Sequence, residues 1–261
     1  MAKKISIITI CYNNPGELKL TCNSVDGQTL LPFEHWIIDG SSNPDIKNHL
    51  ETVPQPAYRK WICEKDNGIA DAFNKGVKLA TGEIINMLNS ADYYFDEHTL
   101  QTVTDAFESH PEISWLHGKY RLQRGGLWVI IGKPFEKEKL YRGMRSLSHQ
   151  SMFVKKALHE KYGLYDTSLR NAMDYDFVCR ISAEPVFFVE KPLVVFAPGG
   201  TTYTNYLKAT AEGKKVYEKY FGSSFKLTLW ETRLKILHYL LNSPAGPLLY
   251  KLKVWLGMEN I

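Results

Sequence analysis

The chain has 261 residues, 44% of them hydrophobic, and a formal charge of +4. That length suits one substantial α/β domain, alone or with a helical appendage, and the composition excludes intrinsic disorder. No apolar run approaches the ~20 residues that span a bilayer, and the start, Met1-Ala2-Lys3-Lys4, leads into a strand pattern and not a signal peptide, so the expected location is the cytoplasm. The four cysteines, Cys11, Cys22, Cys63 and Cys179, have neither Cys-x-x-Cys nor zinc-like spacing and read as buried free thiols. From Tyr203 onward there are nine Lys/Arg against four Asp/Glu, a charge of +5 that leaves −1 for the rest. The basic excess therefore lies wholly in the tail. This argues against a nucleic-acid groove on the main domain and for a basic surface at the C-terminal side.

Residues 4–10 form the first predicted strand. A turn at Tyr12-Asn13-Asn14-Pro15-Gly16 follows, with Pro15 placed to open a helix that runs to about Val25. Residues 34–39 are a second strand closed by Gly40-Ser41-Ser42, then come a short helix and a loop with Pro54 and Pro56. Residues 59–64 are a third strand, ending at Lys65-Asp66-Asn67-Gly68, and 69–79 a helix with Ile69, Ala72, Phe73 and Gly76 on one face. Thr81-Gly82 stops that helix. The fourth strand, Glu83-Ile84-Ile85-Asn86-Met87-Leu88, is a short apolar run of the kind buried on both faces, and it ends abruptly in Asn89-Ser90-Ala91-Asp92.

This alternation predicts a parallel, doubly wound sheet. Ligands in such sheets sit beyond the carboxyl ends of the strands. All four strands end in polar residues, and three of the four clusters hold an acid, Asp39, Asp66 and Asp92, which should converge along one edge. After Asp92 the spacing predicts a helix at 97–109 and strands at 113–117 and 119–131 with a hairpin turn at 124–126. An extended segment at 147–154 carries Ser148-His149-Gln150. A helix at 171–182 opens with Asp174-Tyr175-Asp176, and short strands occupy 185–189 and 193–196. Pro198-Gly199-Gly200-Thr201 ends the compact part. The predicted organisation is a domain over 1–202 and a helical, basic extension over 203–261. In that extension Leu227, Trp230, Leu234, Leu237 and Leu241 form one apolar stripe, and Leu248, Leu252, Trp255 and Leu256 a second, separated by Pro244 and Pro247. Such helices either lie in a membrane interface or pack on the main domain or a second subunit.

No phosphate loop, no Gly-x-Gly-x-x-Gly after the first strand, no His-Glu-x-x-His and no Gly-x-Ser-x-Gly occur. The chemistry left is carboxylates, amides and a hard cation. Thr9-Ile10-Cys11-Tyr12-Asn13, Ile38-Asp39-Gly40-Ser41-Ser42, the run from Glu64 through Asp66, Gly68 and Asp71 to Gly76, Leu88-Asn89-Ser90-Ala91-Asp92, Ser148-His149-Gln150 and Asp174-Tyr175-Asp176-Phe177 stand in an order that resembles family 2 glycosyltransferases, over roughly residues 4–200. The closest resemblance is to the subgroup that builds bacterial surface polysaccharides, O-antigen and capsule among them, on a polyprenyl-diphosphate carrier.

The resemblance implies a GT-A fold, a mainly parallel Rossmann-like sheet with flanking helices, and inverting transfer of a hexose or N-acetylhexosamine from a UDP-sugar. It implies that Asp39 accepts from the uracil imide, that Thr9, Tyr12 and Asn13 line base and ribose, and that Gly40, Ser41, Asp66, Gly68, Asn89 and Ser90 belong to the nucleotide site. Asp71 and Lys75, one turn apart, meet phosphate or merely pair with each other. Asp92 would hold Mn2+ or Mg2+ across the two phosphates. The family's Asp-x-Asp is reduced here to Asn89-Ser90-Ala91-Asp92, so cation affinity is expected to rest on the diphosphate. Asp174 stands at the position of the general base, whereas Asp176 is expected to face elsewhere as helix-start charge. His149 is placed either to touch phosphate, metal or acceptor or to act as a structural hydrogen-bonder. The implied partners are a UDP-sugar, a lipid-linked saccharide acceptor and the inner face of a membrane touched peripherally, with no nucleic acid and with self-association open. A nucleotidyltransferase of similar sheet, or a silent nucleotide-sugar-binding scaffold, are the competing readings.

Overall fold

The computed structural model describes residues 3–124, 127–145, 147–197, 206–241, 243–244 and 246. The turn expected at 124–126 falls partly outside them, and the stop at 198–201 and the second tail stripe at 248–256 lie wholly outside.

Alternation holds through the first half. Strands β1 (Ile5–Cys11), β2 (Glu34–Asp39), β3 (Arg59–Cys63) and β4 (Ile84–Met87) are linked by helices α1 (Pro15–Asp26), α2 (Asp45–Thr52) and α3 (Ile69–Leu79). All three pairings among these strands are parallel, in the order β3-β2-β1-β4. The register aligns the strand ends, with Cys11 opposite Asp39 and Asp39 opposite Cys63. Ile8, Ile38 and Ile85 pack toward α3, whereas Ile5, Ile7 and Ile84 pack toward the other helical layer, so the strands are apolar on both faces. Gly76 lets α3 sit directly on the sheet, because a Cβ there would strike the side chain of Ile8.

Beyond β4 come β5 (Tyr93–Tyr94), α4 (Thr99–Ser109), β6 (Trp115–Arg124), β7 (Leu127–Ile131), a 3-10 segment at Lys137–Arg142, a 3-10 turn at His149–Ser151, β8 (Met152–Lys155), α5 (Lys156–Tyr162), α6 (Met173–Ile181) and β9 (Val186–Phe196). The sheet continues from β4 as β8-β6-β9-β5, with β7 paired to β6. Only β6–β9 is parallel in this half; the other pairings are antiparallel. The sheet is therefore α/β with a parallel first half and a mixed second half, and it includes β5 and α5, which periodicity does not predict.

Two expected breaks are bulges. The strands predicted at 113–117 and 119–131 share one strand through Gly118, and those at 185–189 and 193–196 join through Pro192. The register shifts at Gly118/Lys119 and Lys119/Tyr120, where Pro192 lies opposite Lys119. Gly118 fits because a Cβ would meet Leu193, and a proline tolerates a bulge because it has no N–H to leave unpaired.

The tail helices are α7 (Tyr206–Phe221) and α8 (Phe225–Leu241). In the first predicted stripe Leu227, Trp230 and Leu234 are buried, whereas Leu237 is exposed. That stripe thus packs inward onto the body of the protein, and Val216 of α7 joins the core beside α6.

At the far edge of the sheet Glu34 is buried and accepts from Ser6 Oγ at 2.7 Å, Thr81 N at 2.5 Å and Lys60 Nζ at 3.0 Å. Burial by itself raises its pKa, but the bonds from Thr81, Ser6 and Lys60 outweigh that and hold the carboxyl at about 2. The folded-state pKa lies below the ordinary 4.5, so the stability it gives is complete above that value and is lost as pH falls toward 2. Urea unfolding at pH 5 and pH 2.5 should show the parent losing about 2 kcal/mol more over this window than Glu34→Gln; equal losses would remove Glu34 as the source.

Candidate active site

The loops leaving β1, β2, β3 and β4 meet at one edge because their strands are parallel. Asn13 adopts φ +54°, a left-handed conformation that asparagine tolerates, and its N–H donates to Ser41 Oγ at 2.8 Å. Its side chain accepts from Ser42 N at 3.1 Å. Asp39 Oδ1 accepts from the N–H of Ser41 at 3.0 Å and from the Ser41 hydroxyl. Gly40 leaves no room for a side chain because a Cβ would overlap the Asp66 carboxylate. Asp66 Oδ1 in turn accepts from Gly68 N at 2.9 Å, and Gly68 has φ +114°, which favours glycine. Asn14 Nδ2 donates to Ser90 Oγ at 2.6 Å and Glu17 Oε2 at 2.5 Å, tying the loop after β1 to the loop after β4.

This edge forms one side of a cavity of about 1200 Å³. Tyr12, Asp66, Gly68, Asn89, Ser90, Asp92, His149 and Asp174 all stand in its wall. Asn13, Asp39, Gly40 and Ser41 form the hydrogen-bonded cluster just described, adjoining that wall. Thr9 is not in the wall: β1 turns its side chain into the sheet, where Oγ1 meets His35 Nε2 at 2.9 Å. Lys75 is likewise turned away, with Nζ 3.0 Å from Glu64 Oε1 and 2.7 Å from the Lys65 carbonyl. Asp71 Oδ2 lies 3.9 Å from Lys75 and accepts from Asn67 N at 2.9 Å. The pair shapes the loop before α3.

Asp92 is 4% exposed. Its Oδ1 accepts from Ala197 N at 2.8 Å. Ala91 before it has φ +79°, a left-handed alanine that costs on the order of 1 kcal/mol. The turn is closed by Asp92 N donating to Asn89 O at 3.1 Å. Burial pushes the Asp92 carboxyl up to about 7, against the opposing bonds from Ala197 and Gln150. Asn89 Oδ1 is buried without a hydrogen-bond partner among the described residues. Asp92 and Asn89 thus offer one carboxylate and one orphaned amide oxygen, hard donors that suit Mg2+ or Mn2+ arriving with a diphosphate. Among the described residues no group of three or more His, Cys, Asp or Glu side chains stands ready to hold a metal by itself.

The Ser148-His149-Gln150 turn is pinned from below by buried Asn86, whose Nδ2 donates to the carbonyls of Gln150 at 2.9 Å and Met152 at 2.8 Å. His149 Nε2 pairs with Tyr165 OH at 2.8 Å, its ring leans on Phe73, and burial lowers its pKa to about 4. It is neutral at physiological pH, and one ring nitrogen is committed to structure.

Asp174 lies in the first turn of α6. Burial raises its carboxyl to about 6; the Tyr175 N–H opposes the rise and the nearby Glu212 carboxylate adds to it. The turn leading into α6 is held by Glu212 of α7, which accepts from three backbone N–H groups: Arg170 at 2.9 Å, Asn171 at 2.6 Å and Ala172 at 2.8 Å. Arg170 Nη1 then reaches the Asn67 carbonyl at 3.0 Å, linking this turn to the Asp66 loop. Asp176 faces away, buried against Arg180 Nε at 2.9 Å, Lys219 Nζ at 3.1 Å and Tyr220 OH at 2.8 Å. It locks α6 to α7 and is more than helix-start charge.

The cavity also takes residues that the sequence does not mark as site residues: Arg170, Arg142, Arg145 and Trp230. Trp230 sits in the predicted stripe, but nothing in its spacing separates a core indole from one that lines a cavity.

The sequence model described as Glycosyl transferase family 2 matches residues 6–163. An uncharacterized glycosyltransferase of Mycobacterium tuberculosis (strain CDC 1551 / Oshkosh) is 32% identical over 189 residues, covering 71% of this chain and 72% of its own. A PGL/p-HBAD biosynthesis glycosyltransferase of Mycobacterium bovis (strain BCG / Pasteur 1173P2) is 27% identical, covering 75% of this chain and 76% of its own. Among solved structures, S. aureus TarS 1-349 in complex with UDP-GlcNAc aligns with a TM-score of 0.61 at 15% identity, over 93% of this chain and 74% of that one. The mannosyltransferase PcManGT from Pyrobaculum calidifontis, in complex with GDP-Man and Mn2+, aligns with a TM-score of 0.65 at 14% identity, over 99% and 81%. These structural neighbours share the GT-A fold.

Because the Asp92 carboxyl is raised from 3.8 to about 7, the folded state is favoured below 3.8, loses stability as pH rises through 7, and stays at the lower level above that. Asp92→Asn keeps the shape but cannot ionise. Thermal unfolding should find it near the parent at pH 4 and more stable, by about 4 kcal/mol, at pH 8; no difference at pH 8 would contradict the buried-carboxyl assignment.

Proposed function

The chain belongs to glycosyltransferase family 2, and on that premise we propose that it transfers a hexose or N-acetylhexosamine, with inversion, from a UDP-sugar to an acceptor hydroxyl, with Asp174 as the base. The observation that carries this is the placement of Asp66, Asp92 and Asp174 in the wall of one cavity. The sheet edge at Tyr12, Asp39 and Asp66 takes the nucleotide, with Asp39 accepting from the uracil imide. The TarS complex with UDP-GlcNAc supports a nucleotide sugar as the donor class.

Asp174 carries the chemical step. Its carboxylate takes the acceptor's hydroxyl proton while that oxygen attacks the anomeric carbon. The bond from that carbon to the diphosphate breaks on the opposite face, and the nucleoside diphosphate leaves with the bonding pair. A carboxyl at about 6 is ionised at neutral pH yet basic enough to help. Asp92 and Asn89 would hold Mg2+ or Mn2+ on the diphosphate, where such an ion neutralises the charge that develops on the leaving group. The PcManGT complex with Mn2+ supports a divalent ion in this role. Family membership displaces the nucleotidyltransferase reading, which also needs a basic loop after β1; no Lys or Arg occurs there before Lys19.

The proposed acceptor is a polyprenyl-diphosphate-linked saccharide at the inner face of a membrane, as in O-antigen or capsule assembly. No described helix is long and apolar enough to cross a membrane. Support for peripheral contact comes from the outer face of α8. Its stripe is Phe225 (81% exposed), Leu229, Ile236 and Leu240, opposite the buried one. Lys226, Arg233 and Lys235 flank it, with Arg233 lying over the Trp230 ring and Lys235 paired with Glu231, the single acid of the helix, which also meets Lys214 at 3.1 Å. An exposed apolar stripe with basic side chains at its flanks is a surface that suits an anionic interface.

Three outcomes are expected. Asp174→Asn should lower turnover by about 10²–10⁴ with nucleotide affinity within a few-fold; near-normal turnover would remove the base. The pH profile of kcat/KM should lose about tenfold per unit below pH 6, as Asp174 takes up its proton. Co-sedimentation with phosphatidylglycerol vesicles should fall at least tenfold in a Phe225→Glu, Leu229→Glu variant; unchanged sedimentation would place the contact elsewhere.

A further inference from the structure

One arm of the cavity is walled by the 3-10 segment, the residues just after it, and α8. Trp230 is its centre. The Arg142, Arg145 and Arg233 guanidinium carbons stand 5.2, 5.1 and 5.0 Å from the Trp230 ring, and the Tyr141 ring meets the same indole edge-on at 6.3 Å. Arg142, Arg145 and Trp230 all face the cavity. Two observations about this cluster point to an anion.

The first is charge. Arg142 stacks on the indole beside Arg145, and a ring face does not neutralise a guanidinium. Arg142 is braced by Tyr141, whose hydroxyl accepts from Nε at 3.1 Å, and makes no ion pair among the described residues. The carboxylate nearest along α8, Glu231, is already shared between Lys214 and Lys235, each at 3.1 Å. The second is an orphan donor. Trp230 is 8% exposed, and its Nε1–H is buried with no acceptor among the described residues. A buried N–H without an acceptor is costly, and such groups are nearly always satisfied by protein, water or ligand. Planar guanidiniums beside an N–H donor match phosphate oxygens, which accept bidentately from arginine.

We propose that Arg142, Arg145 and the Trp230 Nε1–H form a phosphate subsite, separate from the nucleotide edge, that takes a phosphate or diphosphate carried by the acceptor. This rests on the donor reading above, in which the sheet edge holds the nucleotide and Asp174 stands between donor and acceptor. Leu227 and Leu234 of α8 stand in the same cavity wall and put apolar surface near the charge, which suits an acceptor whose phosphate adjoins a hydrocarbon.

The probes are UDP and farnesyl diphosphate, with farnesol as the uncharged control, titrated calorimetrically into the full chain. Binding of farnesyl diphosphate at saturating UDP, with none of farnesol, is expected. Arg142→Gln should weaken farnesyl diphosphate at least tenfold and leave UDP within twofold. Arg142→Lys should recover only part of the loss, because an ammonium keeps the charge but not the fork. Trp230→Phe keeps the packing and deletes the N–H; it should weaken farnesyl diphosphate several-fold with the thermal unfolding midpoint near that of the parent. If UDP displaces farnesyl diphosphate competitively, or if Arg142→Gln weakens both equally, the cluster serves the donor's own diphosphate and the proposal falls. If farnesol binds as well as its diphosphate, the arm is merely apolar and the proposal likewise falls. If UDP itself fails to bind, the donor reading is the one that fails.

Discussion

The parallel hydrogen bonding of β3, β2, β1 and β4 is the constraint on which every functional placement rests. Parallel neighbours share a direction, so their carboxyl ends share an edge, and residues as far apart in the chain as Asn14 and Ser90 become hydrogen-bonded neighbours. Had β4 run antiparallel to β1, Asp92 would have emerged at the opposite edge, beside Glu34. The chain reverses this pattern only after the edge is complete: β8 pairs antiparallel with β4, and this carries the Ser148-His149-Gln150 turn to the same end of the sheet. One buried amide, Asn86, holds that turn in place through two carbonyls.

The protein buries carboxylates in two opposite ways. Glu34 receives donors from Ser6, Thr81 and Lys60, and its charge is better solvated in the fold than in water. Asp92 has the Ala197 N–H and Gln150, and Asp174 the N–H of Tyr175, which is too few to offset burial, so both rise toward neutrality. The balance between burial and donors decides the sign of each shift. A carboxyl that is fully satisfied has no capacity left for a proton or a cation, whereas one left short of donors gains by acquiring either.

Much of the architecture is legible in the sequence, for identifiable reasons. Strands β1 to β4 are apolar on both faces and end in Asn, Asp or Gly, so period and punctuation agree. Gly118 and Pro192 mislead because the usual sequence signals for a break also mark a bulge, and the two residues face each other across the same irregularity. Strand β5 is two residues long and has no period to detect. Within the site, residues on loops after strands are visible as polar clusters, but orientation is not. Thr9 belongs to a polar-tipped strand yet points into the sheet, and Lys75 turns toward Glu64, because alternation and local ion pairing settle direction after the backbone is placed. Glu212 and Arg142 carry no signature because their partners are backbone groups and an aromatic ring distant in sequence.

Glu212 gathers the N–H groups of Arg170, Asn171 and Ala172 from a helix that follows them by about forty residues. During synthesis the turn that presents Asp174 therefore leaves the ribosome well before the carboxylate that shapes it. A nascent chain truncated ahead of Tyr206 would contain Asp39, Asp66, Asp92 and Asp174 and still lack the clasp that shapes the turn before α6. The cavity wall around Asp174 is thus completed only after α7 has emerged.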